Sequence, residues 1–204
     1  MKSNQLEDLA FQYCESLAKS NYENFFIGTL FLPRKVIKHF HSIYAYCRMI
    51  DDFGDEFSGE SNHYLDYAEE QLNLCYRGKP DSLSFHALYK TISEFDIPRK
   101  PFQDLIEANR IDQNKKRYNT FSDLLNYCEK SANPVGHLVL YVLGFTEDKC
   151  FELSDLTCTA LQLTNFWQDV QEDYTLRDRI YIPLEDMEKF KYNEQQLWNR
   201  EYNQ

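Results

Sequence analysis

The stretch that decides the fold is "YCRMIDDFGDE" at residues 46–56, where aromatic and apolar residues run directly into a group of acids. When the segment 34–56 is taken as a helix, each residue turns about 100° from the last. The side chains that then share one stripe are His41, Tyr44, Arg48, Asp51 and Asp55. Most of the remaining surface of this helix is apolar. A single line of aromatic, cationic and acidic groups on such a helix predicts a functional site.

A second acidic stripe lies on a helix predicted over residues 150–173. Its members, spaced by three, four and four residues, are Gln162, Asn165, Asp169 and Asp173. Like charges four residues apart destabilise a helix, and two such pairs that converge need cations to neutralise them. Mg²⁺ suits carboxylate oxygens and typically binds one or two of them together with water and substrate phosphate. Two facing stripes therefore predict Mg²⁺ ions that bridge the helices to an anionic substrate, most naturally a diphosphate.

Helical patterning extends over nearly the whole chain and predicts an all-α fold, with residues 1–204 in a single domain. The other helices are expected at 5–19, 62–77, 82–94, 99–113 and 120–130. Pro134 and Gly136 mark a break before a further short helix, and Pro183 interrupts the chain after the second stripe. The final residues read as the start of one more helix, so we expect this domain to be incomplete at its C-terminus.

Composition narrows the classes of function. Hydrophobic residues make up 43% of the 204 residues, which is enough for a sizeable core. The chain has only six glycines and six prolines, which disfavours an all-β fold with many tight turns. A net charge of −11 argues against a nucleic-acid partner. The six cysteines form no C-x-x-C pair, so they are expected to be reduced thiols packed as small hydrophobic groups.

The sequence also bears on location. The N-terminus has early acids and no long apolar run, so it does not read as a signal peptide, and no window reaches the ~18 apolar residues of a membrane span. A cytoplasmic protein is expected. The basic cluster "NKKR" at 114–117 could touch anionic lipid at a membrane surface, although a solvated loop is the simpler interpretation.

Other metal and nucleotide sites do not fit. The acids of 51–56 lack the spacing of an EF-hand, and Gly54 is misplaced for one. A ferritin-like di-iron site needs a Glu-x-x-His motif from each of two helices, and the sequence contains a single one, Glu60 to His63. Rossmann and P-loop fingerprints are also absent from the sequence.

Three stretches resemble one known family. "YAYCRMIDDFGDE" at 44–56 and "LQLTNFWQDVQEDYTLRDRIYIP" at 161–183 resemble the two aspartate-rich motifs of the squalene/phytoene synthase family. "RYNTFSDLLNYCEKSANPVG" at 117–136 is similar to its central tyrosine and A-x-x-V-G segment. The resemblance covers about residues 20–185. It implies the isoprenoid-synthase-type helical array of the head-to-head prenyl synthases, with a central prenyl pocket.

The resemblance also implies roles for individual residues. Metal binding falls to Asp51, Asp55, Asp169 and Asp173. Catalytic or diphosphate-contacting roles fall to Arg48, Gln162, Asn165 and, near the leaving diphosphate, Tyr127. Further basic positions near the phosphate end are Arg117, Arg177 and Arg179, for which a surface cation is an equal alternative. Expected substrate-contacting wall residues are Phe25, Phe26, Tyr44, Leu138, Leu161 and Phe166, and simple core packing is as good an interpretation for each.

Within the family, "ENF" at 23–25, "SANPVG" at 131–136 and "NFWQDV" at 165–170 resemble the bacterial hydroxysqualene synthases of hopanoid pathways. The implied reaction ionises presqualene diphosphate and captures the cation with water. A synthase that condenses two farnesyl diphosphates remains an alternative, as does a non-catalytic scaffold relative. The chain departs from the family pattern at "RDR", 177–179, where R-G-R is usual, and at His137, where Arg is common. The sequence fixes no oligomeric state.

Overall fold

A computed structural model describes residues 3–20, 32–55 and 60–201, which form eleven helices. In chain order these are α1 (Ser3–Ser20), α2 (Arg34–Asp55), α3 (Ser61–Tyr76), α4 (Leu83–Phe95), α5 (Lys100–Asn114), α6 (Phe121–Ser131), α7 (Asn133–Leu143), α8 (Asp148–Gln168), α9 (Val170–Arg177), α10 (Leu184–Lys189) and α11 (Glu194–Trp198). An isolated β-bridge joins Arg117 to Ile180, and the described segments contain no strand. The predicted all-α fold is therefore confirmed.

Helix α2 lies at the centre of the array and packs against α1, α3, α4, α5 and α7. It lies at the centre because most of its surface is apolar and is buried by these neighbours. Phe40, Ile43 and Ile50 are all at most 5% exposed. Tyr46 is also buried, and its hydroxyl donates to the backbone oxygen of Phe102 at 2.9 Å. The polar stripe is then the side of α2 on which a site can form.

The helix ends around the site follow local chemistry. At the start of α6, the Thr120 hydroxyl accepts a hydrogen bond from the backbone N–H of Asp123 at 3.1 Å. Pro134 sits in the first turn of α7, where its missing N–H costs nothing. Gly144 ends α7 with φ of 82°, a left-handed conformation that favours glycine. The break expected near Pro134 is thus the boundary between α6 and α7.

The predicted helix over 150–173 is wrong as a single helix, because it divides into α8 and α9 at Asp169. Asp169 has φ of −100° and ψ of 10°, outside the helical region. Short polar side chains such as Asp favour local non-helical conformations. The backbone N–H of Asp169 still donates to the oxygen of Asn165 at 2.8 Å, and that of Asp173 donates to Asp169 at 2.9 Å. The break is local, and the spacing of the stripe survives it.

Gly54 permits a close approach between α2 and α5. A Cβ atom at this position would lie 2.0 Å from Oδ1 of Asn109. The Gln113 side-chain amide donates to the backbone oxygen of Gly54 at 2.9 Å, and that of Asn109 donates to Oδ1 of Asp51 at 3.3 Å. The missing side chain of Gly54 therefore lets α5 reach the acidic stripe of α2.

All six cysteines are free thiols, as expected, and Cys14, Cys75 and Cys128 are buried. Within the described ranges, no helix is both long and apolar enough to cross a bilayer.

We predict that Gly54→Ala lowers the free energy of unfolding by about 1–3 kcal/mol, because the added methyl group must displace Asn109. Urea denaturation measures the loss. Asn109→Ala removes the amide that the methyl group would meet, so the double variant should lose less than the sum of the two single losses. Strictly additive losses would show that this contact does not constrain the two helices.

Candidate active site

A cavity of about 360 Å³ lies where the end of α2 meets α5, α6, α8 and α9. Asp51 and Asp55 line it from α2. Asp169 and Asp173 line it from the junction of α8 and α9 and from α9 itself. The two acidic stripes thus converge on one space. The volume is within the range of small-ligand sites.

Most of the other predicted site residues described by the structure share this cavity. They are Tyr127, Gln162, Asn165, Arg177 and Arg179, together with the expected wall residue Phe166. The aromatic rings of Phe166 and Tyr181 stack with centroids 3.9 Å apart and form one side of the wall. The cavity therefore combines carboxylates, amides, cations and aromatic surface.

Three predicted residues do not line the cavity. Arg48 is engaged along its own helix, with Nε 2.8 Å from Oδ1 of Asp52. Arg117 forms ion pairs with Glu194 and Asp178, each at 2.8 Å. Tyr44 is 7% exposed and counts among the buried core residues. The predicted contacts of Arg48 and Arg117 near the diphosphate, and of Tyr44 with the substrate as a wall residue, remain predictions.

The expected wall residues are only partly accounted for. Leu138 is fully buried in the main hydrophobic core, which matches the core-packing alternative. Leu161 is 61% exposed, so it packs against neither wall nor core in the described chain. Phe25 and Phe26 lie outside the described residues, as does the "ENF" segment.

Arg177 and Arg179, which follow the second stripe in sequence, neutralise part of the negative charge of both stripes. Nη1 of Arg179 lies 2.9 Å from Oδ1 of Asp55. Nε of Arg177 lies 3.3 Å from Oδ2 of Asp55, and its Nη1 lies 3.4 Å from Asp173. The two stripes are thus joined by ion pairs across the cavity, which both arginines line.

The acids of the cavity have perturbed ionisation. Asp51 is open to the cavity but enclosed by its walls, and this burial raises its pKa to about 7 against the opposing hydrogen bond from Asn109. Burial likewise raises the pKa of Asp173, while the guanidinium of Arg177 opposes the rise. Groups perturbed by burial beside other charges are typical of functional sites.

Sequence reasoning missed several members of the cavity, among them Asp112 and Tyr181. The carboxylate of Asp112 accepts hydrogen bonds from the hydroxyls of Tyr127 and Tyr181. The sequence did contain a pattern that could have identified Asp112. It follows Leu105 and Ala108 at helical spacing, so it is an acid on the apolar side of a predicted helix. Tyr181 had no comparable signal, since it lies between helices.

The departure from R-G-R at 177–179 has a structural counterpart. Asp178 ends α9 with φ of 53°, in the left-handed region where glycine is best suited and Asp is tolerated. Its side chain pairs with Arg117, which also donates to the backbone oxygen of Asp178. The Asp at this position therefore brings a side-chain contact with Arg117 that glycine would lack.

The basic cluster at 114–117 is occupied by contacts within the chain. Lys115 pairs with Asp123 at 2.5 Å, and the ammonium of Lys116 donates to the backbone oxygen of Asp112 at 2.6 Å. Arg117 is held as described above. Contact of this cluster with a membrane surface therefore gains no support.

The chemistry of the cavity fits Mg²⁺. Within the part of the chain that the structure describes, no three or more His, Cys, Asp or Glu side chains form a ready-made cage for one ion. Mg²⁺ does not need such a cage, because it usually binds one or two carboxylates and completes its shell with water and phosphate. Four aspartates with neighbouring amide oxygens and no soft ligand are the donor set it prefers.

The chain belongs to the squalene/phytoene synthase family, whose model matches residues 18–204. It is 32% identical to the 15-cis-phytoene synthase of Synechococcus elongatus and 33% identical to that of Synechocystis, over 93% of this chain in both cases. It spans 66% and 60%, respectively, of the lengths of these two relatives.

Two solved structures are similar over most of this chain. Squalene synthase HpnC from Alicyclobacillus acidocaldarius superposes with a TM-score of 0.90 and 45% identity, over 95% of this chain and 73% of HpnC. A dehydrosqualene synthase in complex with a ligand gives a TM-score of 0.84 and 31% identity, over 95% of this chain and 68% of that one. The expected family and helical architecture are therefore confirmed.

We predict that Asp51→Asn stabilises the protein at pH 8 and that this gain disappears as the pH falls to about 4. The pKa of Asp51 is 3.8 in the unfolded chain and about 7 in the folded protein, so between these pH values the folded protein binds more protons. The ionisation of Asp51 therefore destabilises the folded protein as the pH rises through this range. We expect only about 1 kcal/mol, because the side chain is open to screening by solvent. Thermal unfolding between pH 4 and 8 measures it.

The matched control is Asp52→Asn, which removes the neighbouring acid that pairs with Arg48. That variant should show no gain at pH 8. A gain in both variants would mean that net charge, rather than the environment of Asp51, sets the effect.

Proposed function

We propose that this chain carries the active site of a Mg²⁺-dependent prenyl-diphosphate enzyme that converts presqualene diphosphate to hydroxysqualene in hopanoid biosynthesis in the cytoplasm. The observation that carries the proposal is the convergence of Asp51, Asp55, Asp169 and Asp173 on one cavity. Membership of the squalene/phytoene synthase family supports the substrate class. Similarity to HpnC, at 45% identity, favours the squalene branch.

The four aspartates would hold Mg²⁺, which when bound acts as a Lewis acid on the departing diphosphate. Arg177 and Arg179 add fixed positive charge at the same end of the cavity, where they suit an anionic leaving group. The stacked rings of Phe166 and Tyr181 present apolar surface beside this charge. Such a wall favours a carbocation by limiting the access of water.

We predict that isothermal calorimetry with inorganic diphosphate and Mg²⁺ detects saturable binding to this chain. Asp51→Ala and Asp169→Ala should each weaken it about tenfold to a hundredfold, because each removes a charged ligand from the cavity. Asp8→Ala is the matched control, since Asp8 is exposed on α1 and does not line the cavity. Wild-type affinity in both cavity variants would contradict the proposal.

The same titration separates a catalytic site from the alternative of a non-catalytic scaffold relative. A scaffold has no need for Mg²⁺-dependent diphosphate binding at these acids. Retention of all four aspartates in one cavity favours the enzyme.

A second candidate function is the condensation of two farnesyl diphosphates. It is favoured by the phytoene synthases among the relatives and by the similar dehydrosqualene synthase.

We predict that incubation with presqualene diphosphate and Mg²⁺ yields hydroxysqualene, detected by mass spectrometry, whereas incubation with farnesyl diphosphate yields no C30 product. The reverse pattern would replace the first assignment with the second.

A further inference from the structure

Asp112 is a buried carboxylate at the edge of the cavity to which the metal-binding proposal gives no task. It lies in the last turn of α5, is 6% exposed and lines the same space as the four acids. Its Oδ2 accepts a hydrogen bond from the hydroxyl of Tyr127 at 2.5 Å, and its Oδ1 accepts one from Tyr181 at 3.4 Å. Nη1 of Arg179 lies 3.8 Å from Oδ2. Burial of a charge is costly unless it is satisfied in this way.

The short contact fixes the direction of the Tyr127 proton. A phenol has one proton to donate, and 2.5 Å is the separation typical of a hydroxyl that donates to a carboxylate. Since this proton points to Asp112, the lone pairs of the Tyr127 oxygen are what it offers to the cavity. Tyr127 then faces a ligand as a hydrogen-bond acceptor, which does not suit contact with a diphosphate oxygen but does suit a water molecule.

Aromatic packing holds the ring of Tyr127 in place. Its centroid lies 5.4 Å from Tyr118, 5.8 Å from Tyr181 and 6.1 Å from Phe166. Burial, with the negative charge of Asp112, raises the pKa of Tyr127 well above its usual value, so the phenol stays neutral. A neutral phenol that cannot turn is suited to pass a proton on and is not suited to act as a phenolate.

We propose that Asp112 is a positioning residue that makes Tyr127 the proton acceptor of the site and that receives the proton which Tyr127 passes on. This inference rests on the proposed function. When water captures the carbocation, a carbon–oxygen bond forms and one O–H bond of the water breaks. That proton goes to the oxygen of Tyr127, while the proton of Tyr127 moves to Oδ2 of Asp112, which becomes a neutral carboxylic acid.

The same path serves the condensation reaction, in which the proton comes from a C–H bond of the cation. In either case one proton is lost to Asp112 and one positive charge is cancelled. Burial raises the pKa of Asp112 to about 6, although Arg179 and the hydrogen bond from Tyr127 oppose the rise. A carboxyl that titrates near neutral pH is well matched to receive a proton there.

The first test is spectroscopic and needs no turnover. Tyrosine labelled with ¹³C at Cζ is introduced, and Tyr127→Phe identifies the Tyr127 resonance by its loss. Donation to a carboxylate moves a Cζ resonance downfield, so Asp112→Asn should move it upfield. Asp104→Asn, on the same helix and paired with Lys100, is the matched control and should leave it unchanged. An unmoved resonance in Asp112→Asn would overturn the proposal.

The second test is kinetic. Asp112→Asn should lower kcat on presqualene diphosphate about 10²–10⁴-fold with little change in KM, because it affects proton transfer and not ground-state binding. Adding Asp112→Asn to Tyr127→Phe should cost little more than Tyr127→Phe alone. If the two substitutions lower kcat independently, so that their fold losses multiply in the double variant, the proposed relay is contradicted. If the wild-type protein shows no turnover, that result contradicts the proposed function and not the inference about Asp112. The Tyr127 resonance still tests where the Tyr127 proton lies.

Discussion

The structure depends on holding like charges from two helices around one small cavity. Asp51 and Asp55 on α2 line this cavity together with Asp169 and Asp173, so their charges repel one another. Arg177, placed one turn after Asp173, pairs with acids of both stripes. The apolar girth of α2 fixes it at the centre of the core, so its acids cannot move apart without loss of packing. Acids held together in this way support the cation and diphosphate binding proposed above.

The cavity has an acidic part and an aromatic part, and Arg179 joins them. It pairs with Asp55 on one side and lies near Asp112 on the other. The acidic part suits the metal ions that we propose to bind the leaving diphosphate, whereas the Tyr127 and Asp112 pair suits removal of a proton. Charge separation and proton loss are thus assigned to neighbouring but different groups. The proposed relay gives the buried carboxylate of Asp112 a task separate from metal binding.

The sequence predicted the parts of the site that follow from helical period, and it missed the parts that depend on tertiary contact. The stripes were predictable because a spacing of three and four residues survives the local break at Asp169. The pairing of Tyr181 with Asp112 joins residues 69 positions apart, and no local pattern encodes it. Arg48 was expected to contact a ligand. An ion pair with Asp52, four residues later on the same helix, fits the same sequence equally well, and this pair is the one observed.

The central claim is that both acidic stripes hold the same metal–diphosphate complex. Mn²⁺ in place of Mg²⁺ broadens nearby NMR signals, and the side-chain amides of Asn109 beside α2 and Gln162 on α8 report on the two sides. With inorganic diphosphate present, both amide signals should broaden together, while that of the exposed Asn199 remains sharp. Broadening of one side alone, or equal broadening of Asn199, would contradict a shared site.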